Sequence, residues 1–169
     1  EVFKGQELID NLAREICQNS LDAHLDESDA PVRVVFELRQ FDPKQYDVFT
    51  QYSECLSGCR AYWANEMDAK LSRFVAGAEA TLREPTIPVL IAGDYNTKGL
   101  GGSHSHELSS SWEALTGSDG VSVKSDGNSA GSYGIGKNAP FACSSLSMVF
   151  YNTLSANDES AFIGVARLA

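Results

Sequence analysis

Positive charge is what this sequence has least of: 13 Lys and Arg stand against 23 Asp and Glu, a formal net charge of −10. Contacts to a phosphate backbone need clustered cations, so a broad nucleic-acid surface is excluded as the chain's main business. Long apolar runs are missing too. None approaches the roughly 18 residues that a membrane-spanning helix requires, and no stretch resembles a signal peptide, so a cytoplasmic protein is expected. The four cysteines, Cys17, Cys55, Cys59 and Cys143, form no disulfide framework and are expected to be small buried hydrophobes. Cys55 and Cys59 together with His104 and His106 contain two ligands of each type for zinc, but a C-x₃-C pair on a helix is an unusual zinc arrangement.

What is present suits one core of ordinary size: 169 residues, 43% hydrophobic and 21% charged. The chain opens with Glu1 and stops at Ala169 within a strand-like run, which predicts a domain of a longer polypeptide.

Residues 7–23 (ELIDNLAREICQNSLDA) carry apolar Ile9, Leu12, Ala13, Ile16 and Ala23 at helical spacing, and the helix should end near Leu25. Beside that stripe, Glu15, Asn19 and Asp22 fall at i, i+4 and i+7 and align a carboxylate, an amide and a second carboxylate. Polar residues at this spacing also make ordinary solvated faces. Two glycine-rich segments shift the balance toward a site: residues 91–102 (IAGDYNTKGLGG) and residues 131–141 (GSYGIGKNAPF). The second contains Gly-x-Gly-Lys, but its likeness to a P-loop fails because no Ser or Thr follows Lys137.

The helix and the two glycine-rich segments, in that order, resemble the three motifs of the Bergerat-fold ATPases, the group containing DNA gyrase B, the ninety-kilodalton heat-shock chaperones, histidine kinases and MutL. The first motif, Glu-x-x-x-Asn-x-x-Asp-Ala, is matched by Glu15, Asn19, Asp22 and Ala23; the third, Gly-x-x-Gly-x-Gly, by Gly131, Gly134 and Gly136. The second, Asp-x-Gly-x-Gly, is matched by Asp94, Gly99 and Gly101 with three additional residues between the Asp and the first Gly.

The resemblance implies an α/β two-layer sandwich, with a mixed, largely antiparallel sheet and helices on one face, that binds ATP with Mg²⁺ and hydrolyses it. Glu15 would be the general base, Asn19 would give its oxygen to magnesium, Asp22 would lie on the ribose and phosphate side, and Ala23 would leave room for adenine. Asp94 would accept from the adenine amine. Thr97, Lys98, Gly99, Leu100 and Gly101, and then Gly131, Ser132, Tyr133, Gly134, Ile135, Gly136 and Lys137, would line the nucleotide, with Lys137 reaching a phosphate. Residues 102–130, rich in Ser, Gly and Asp, take the position of the family's lid. Relatives commonly receive a Lys or Arg from a following domain and dimerise with nucleotide, so both are expected partners. A protein kinase of the histidine-kinase sort and a non-hydrolysing nucleotide-binding scaffold are the competing readings. No phosphoacceptor His sits in a helical dimerisation segment, and His24 is expected to cap the first helix.

Elsewhere, alternation predicts a strand at 32–39, and a continuous apolar run predicts a buried strand at 88–92 that delivers Asp94 to its end. Between them, residues 44–83 repeat apolar side chains in steps of three and four, as a helical hairpin or one helix broken near Asn65. This segment reads as an insertion, either packed on the domain or serving as a partner surface. A short helical turn at 111–115, a helix starting at 137–145, strands at 148–153 and 161–168, and a turn at 155–158 complete the expected elements.

Overall fold

A computed structural model describes residues 6–25, 28–66, 68–105, 107, 110–117 and 136–168. The elements are α1 (Gln6–Asp22), β1 (Arg33–Phe41), a 3₁₀ turn (Pro43–Gln45), α2 (Asp47–Tyr62), α3 (Ala69–Arg83), β2 (Ile87–Tyr95), α4 (Ser111–Thr116), a second 3₁₀ turn (Gly136–Asn138), α5 (Ala139–Cys143), β3 (Met148–Leu154) and β4 (Ser160–Ala166). The chain is therefore mixed α+β. Among the described residues no helix is long and apolar enough to cross a membrane.

The strands pair as two separate antiparallel ladders. β1 runs against β2 from Arg33 opposite Tyr95 to Phe41 opposite Ile87. β3 runs against β4 from Met148 opposite Ala166 to Leu154 opposite Ser160. The single mixed sheet expected from the sequence is thus corrected to two two-stranded sheets among the described residues. They are joined through the segment that follows β2: the Leu100 N–H donates to Oγ1 of Thr153 in β3 at 2.8 Å, and the Ala156 N–H donates to the Lys98 carbonyl at 2.9 Å. These contacts take the place of a shared ladder.

The helical segment is a hairpin, and it carries much of the core. Phe49, Tyr52 and Leu56 of α2 and Val75 and Ala78 of α3 cluster with Ile87 and Leu146, while Leu71, Phe74, Met148 and Leu168 pack around them. Spacings of three and four put each helix's apolar residues on one stripe. Asp68 starts α3 by accepting from the Leu71 N–H at 2.7 Å. The Tyr52 hydroxyl spans from α2 to the Leu146 carbonyl at 2.7 Å, and burial pushes its pKa up to about 12. The segment is hence built into the domain's packing.

On α1 the inward line differs from the expected stripe. Ile9 is 62% exposed, whereas Leu12 and Ser20 are buried and Leu8 and Ile16 half-buried, so residues spaced by four face inward. The helix packs on α5, where the Cys143 thiol approaches the Leu8 carbonyl at 3.8 Å and burial raises the thiol pKa. The cysteines are free, but they are not the buried hydrophobes expected: Cys55 is exposed and Cys17, Cys59 and Cys143 are half-buried. Phe49, Tyr52 and Leu56 define the buried line of α2, and Cys55 lies one residue off it.

Candidate functional site

The end of α1 and the end of β2 meet, and the contacts are specific. Asp94 is the penultimate residue of β2, and its Oδ2 lies 3.0 Å from the hydroxyl of Ser20, a residue 74 positions earlier and 2% exposed. Its Oδ1 lies 3.4 Å from the Thr97 hydroxyl. The Ser20 hydroxyl also lies 2.8 Å from the Ile16 carbonyl, yet it has one proton to give. That carbonyl already accepts the helical i→i−4 bond, and an ionised carboxylate is the stronger acceptor, so Asp94 competes well for the proton.

The residues between Asp94 and Gly99 have a structural use. Asn96 turns the chain with φ 62°, and its side-chain amide donates to the Pro31 carbonyl at 2.7 Å. Thr97 then forms an antiparallel bridge with His24, and the Lys98 N–H donates to the Ala23 carbonyl at 2.7 Å. These residues therefore lace the chain along the exit of α1. His24, expected as a helix cap, instead places Nε2 3.2 Å from the Ala30 carbonyl.

Glu15, Asn19 and Asp22 all lie on α1, Glu15 half-buried and the other two exposed. Asp22 accepts from the Gln18 side chain at 3.0 Å. Ala23 follows the helix and is half-buried. The carboxylate, the amide and Asp94 thus belong to two elements that Ser20 ties together.

The glycine-rich segment after β2 is tightly held. The Gly101 N–H donates to Ser111 Oγ at 2.9 Å, and the Gly102 N–H donates to Glu159 Oε2 at 2.9 Å. With Leu100 on Thr153, three successive N–H donors are occupied by side chains of the protein itself. Gly99 adopts φ +63°, and a Cβ there would lie 2.6 Å from the Leu154 carbonyl oxygen. Gly102 also has positive φ, whereas a Cβ on Gly101 would meet nothing within 4 Å. Backbone geometry thus calls for glycine at 99 and 102 and leaves 101 open.

Of the third motif, Gly131, Ser132, Tyr133, Gly134 and Ile135 lie outside the described residues, as does most of the 102–130 segment. Gly136 and Lys137 open the second 3₁₀ turn, and Lys137 Nζ donates to the Gly117 carbonyl at 3.0 Å. Gly117 ends α4, so the lysine ties the end of that helix to the start of α5's approach. Asn138 accepts from the Arg167 guanidinium, which also lies 3.8 Å over the Phe141 ring.

Sequence reasoning missed Ser20, Ser111, Thr153 and Glu159. Ser20 left one signal, a hydroxyl on the inward line that Leu12 and Ile16 begin. Ser111 acts ten residues away and Thr153 and Glu159 more than fifty, and none of the three left a signal. Among the described residues no group of three His, Cys, Asp or Glu is placed to hold a metal ion. His106 of the zinc alternative lies outside those residues. A magnesium ion held by one protein oxygen and by phosphates needs no such group. No protein-family model, curated protein or solved structure matches the chain.

Proposed function

We propose that this chain binds Mg-ATP and hydrolyses it in the manner of the Bergerat-fold ATPases, as the nucleotide switch of a larger cytoplasmic protein. The observation that carries this reading is the Ser20–Asp94 hydrogen bond, which joins the helix bearing Glu15, Asn19 and Asp22 to the strand end bearing Asp94. Two of the three sequence motifs, far apart in the chain, meet through a buried hydroxyl.

The residues present fit such a ligand by their chemistry. Asp94 is an acceptor, suited to an exocyclic amine and unsuited to the carbonyl that guanine carries at the same place. Asn19, exposed one helical turn beyond Glu15, offers a neutral oxygen to a hard cation already neutralised by phosphates. Glu15 can hold a water and accept its proton, a role that typically contributes about 10²–10⁴-fold. The net charge of −10 does not oppose an anionic ligand that arrives with magnesium, because the metal supplies local positive potential. Lys98 and Lys137 add cations, and a Lys or Arg from a further domain or a nucleotide-dependent dimer would complete charge neutralisation.

ATP labelled at the γ-phosphate tests this reading. Release of free labelled phosphate that stops when magnesium is chelated is the expected result. Label transferred to the protein would make the chain a kinase, and ATP bound but unchanged would make it a scaffold module.

A further inference from the structure

Ser20 occupies a position that the first motif leaves unspecified, yet it is among the most buried residues of the chain, at 2% exposure. A serine that deep has to place its hydroxyl on a partner, because an unpaired buried hydroxyl is costly. It lies 2.8 Å from the Ile16 carbonyl of its own helix and, across the fold, 3.0 Å from one oxygen of Asp94. The second oxygen meets the Thr97 hydroxyl at 3.4 Å, a long contact by comparison, and Asp94 as a residue is exposed. The two oxygens therefore differ: Oδ2 has the closer contact, to a buried hydroxyl, and Oδ1 the longer one, to Thr97. A carboxylate free to rotate about its χ2 bond would present its oxygens in many directions. Pinning one oxygen orients the other.

We infer that Ser20 is a positioning residue for base recognition, its buried hydroxyl fixing Asp94 so that Oδ1 meets the exocyclic amine of adenine at a set angle. The inference rests on the nucleotide reading above and adds to it the source of selectivity for adenine over guanine. Ser20 does not touch the base; it acts through Asp94. A fixed acceptor discriminates more sharply than a mobile one, because a mobile carboxylate turns away from the guanine carbonyl and relieves the repulsion that rejects it. Loss of the Ser20 hydroxyl should hence weaken ATP binding and spare GTP binding.

Calorimetric titration of Mg-ATP, Mg-GTP and adenosine into the parent chain, Ser20→Ala and Ser20→Cys tests it, with thermal unfolding of each protein recorded without nucleotide. Alanine leaves the position smaller and cysteine fills it with a slightly larger atom that is only a weak donor, so an effect shared by both variants follows the hydrogen bond rather than packing. In both variants ATP affinity is expected to fall about tenfold while GTP affinity changes little, so that the ATP-to-GTP preference shrinks by the same factor. An unchanged preference in either folded variant, or equal loss for both nucleotides, would overturn the role assigned to Ser20 and leave the nucleotide site standing. A parent chain that binds neither ATP nor adenosine would overturn the nucleotide reading itself, and this inference with it.

Discussion

The Gly102 N–H donates to the carboxylate of Glu159 at 2.9 Å, across 57 residues, from the segment proposed to receive phosphates to the turn between β3 and β4. A carboxylate on a backbone N–H at a glycine-rich turn occupies such a donor much as a phosphate oxygen would. Glu159 and an anionic ligand then compete for one donor and repel one another.

Glu159→Gln keeps an acceptor and removes the charge. We expect Mg-ATP to bind the variant about three- to tenfold more tightly, as befits loss of about 1 kcal/mol of like-charge repulsion near a surface, with adenosine unaffected. Calorimetry on both ligands checks it. Weaker or unchanged ATP binding would show that Glu159 only braces the turn.

Glu15→Ala separates chemistry from binding. Mg-ATP affinity should stay within a few fold of the parent, while turnover falls by about two orders of magnitude or more, since the base acts on water rather than on the ligand. Equal turnover in purified parent and variant would remove Glu15 from the chemistry.

Gly99 and Gly101 should respond oppositely to the same methyl group. Gly99→Ala forces an L-residue to φ +63° and drives a Cβ to 2.6 Å from a backbone oxygen, so it should cost about 2 kcal/mol or more. Gly101→Ala meets nothing within 4 Å and should change stability by less than about 0.5 kcal/mol. Urea titration of both variants compares them directly, and equal stability would contradict the close approach of residue 99 to β3.

The helices and strands were legible because they are written in local periodicity. The steps of three and four through Phe49, Tyr52 and Leu56 predicted α2, and the apolar run before Asp94 predicted that this carboxylate would stand at a strand end. The division into two ladders was not legible, since pairing partners are chosen by the whole chain rather than by a window. Nor was the hold on the glycine-rich segment, because Thr153, Ser111 and Glu159 reach it from elements that follow it in sequence. The helical segment between β1 and β2 read as an insertion because a resemblance supplied the frame. Its buried residues show that the core depends on it.

Tyr52 gives the fold an alkaline limit. Burial favours its neutral form, so the folded pKa, about 12, stands above the ordinary value of 10.0. The stabilisation is complete below pH 10 and is lost as pH rises toward 12, because the unfolded chain gives up this proton first. Tyr52→Phe should lose about 1 kcal/mol near neutral pH, with its hydrogen bond to Leu146 removed. It should also show a flatter decline across that alkaline window. Denaturation curves for both proteins from pH 8 to 12 check the sign; a constant difference would mean that the tyrosine titrates alike in both states.

The central claim is that Asp94 reads an adenine base beside α1, and titration of Mg-ATP into the parent chain and Asp94→Asn tests it most directly. The amide turns a donor toward the base amine and leaves the Ser20 hydroxyl with a weaker partner. The account predicts saturable binding of Mg-ATP by the parent, and affinity at least about tenfold lower in a variant that remains folded. Parent-like affinity in Asp94→Asn, or no binding by the parent at all, would contradict it.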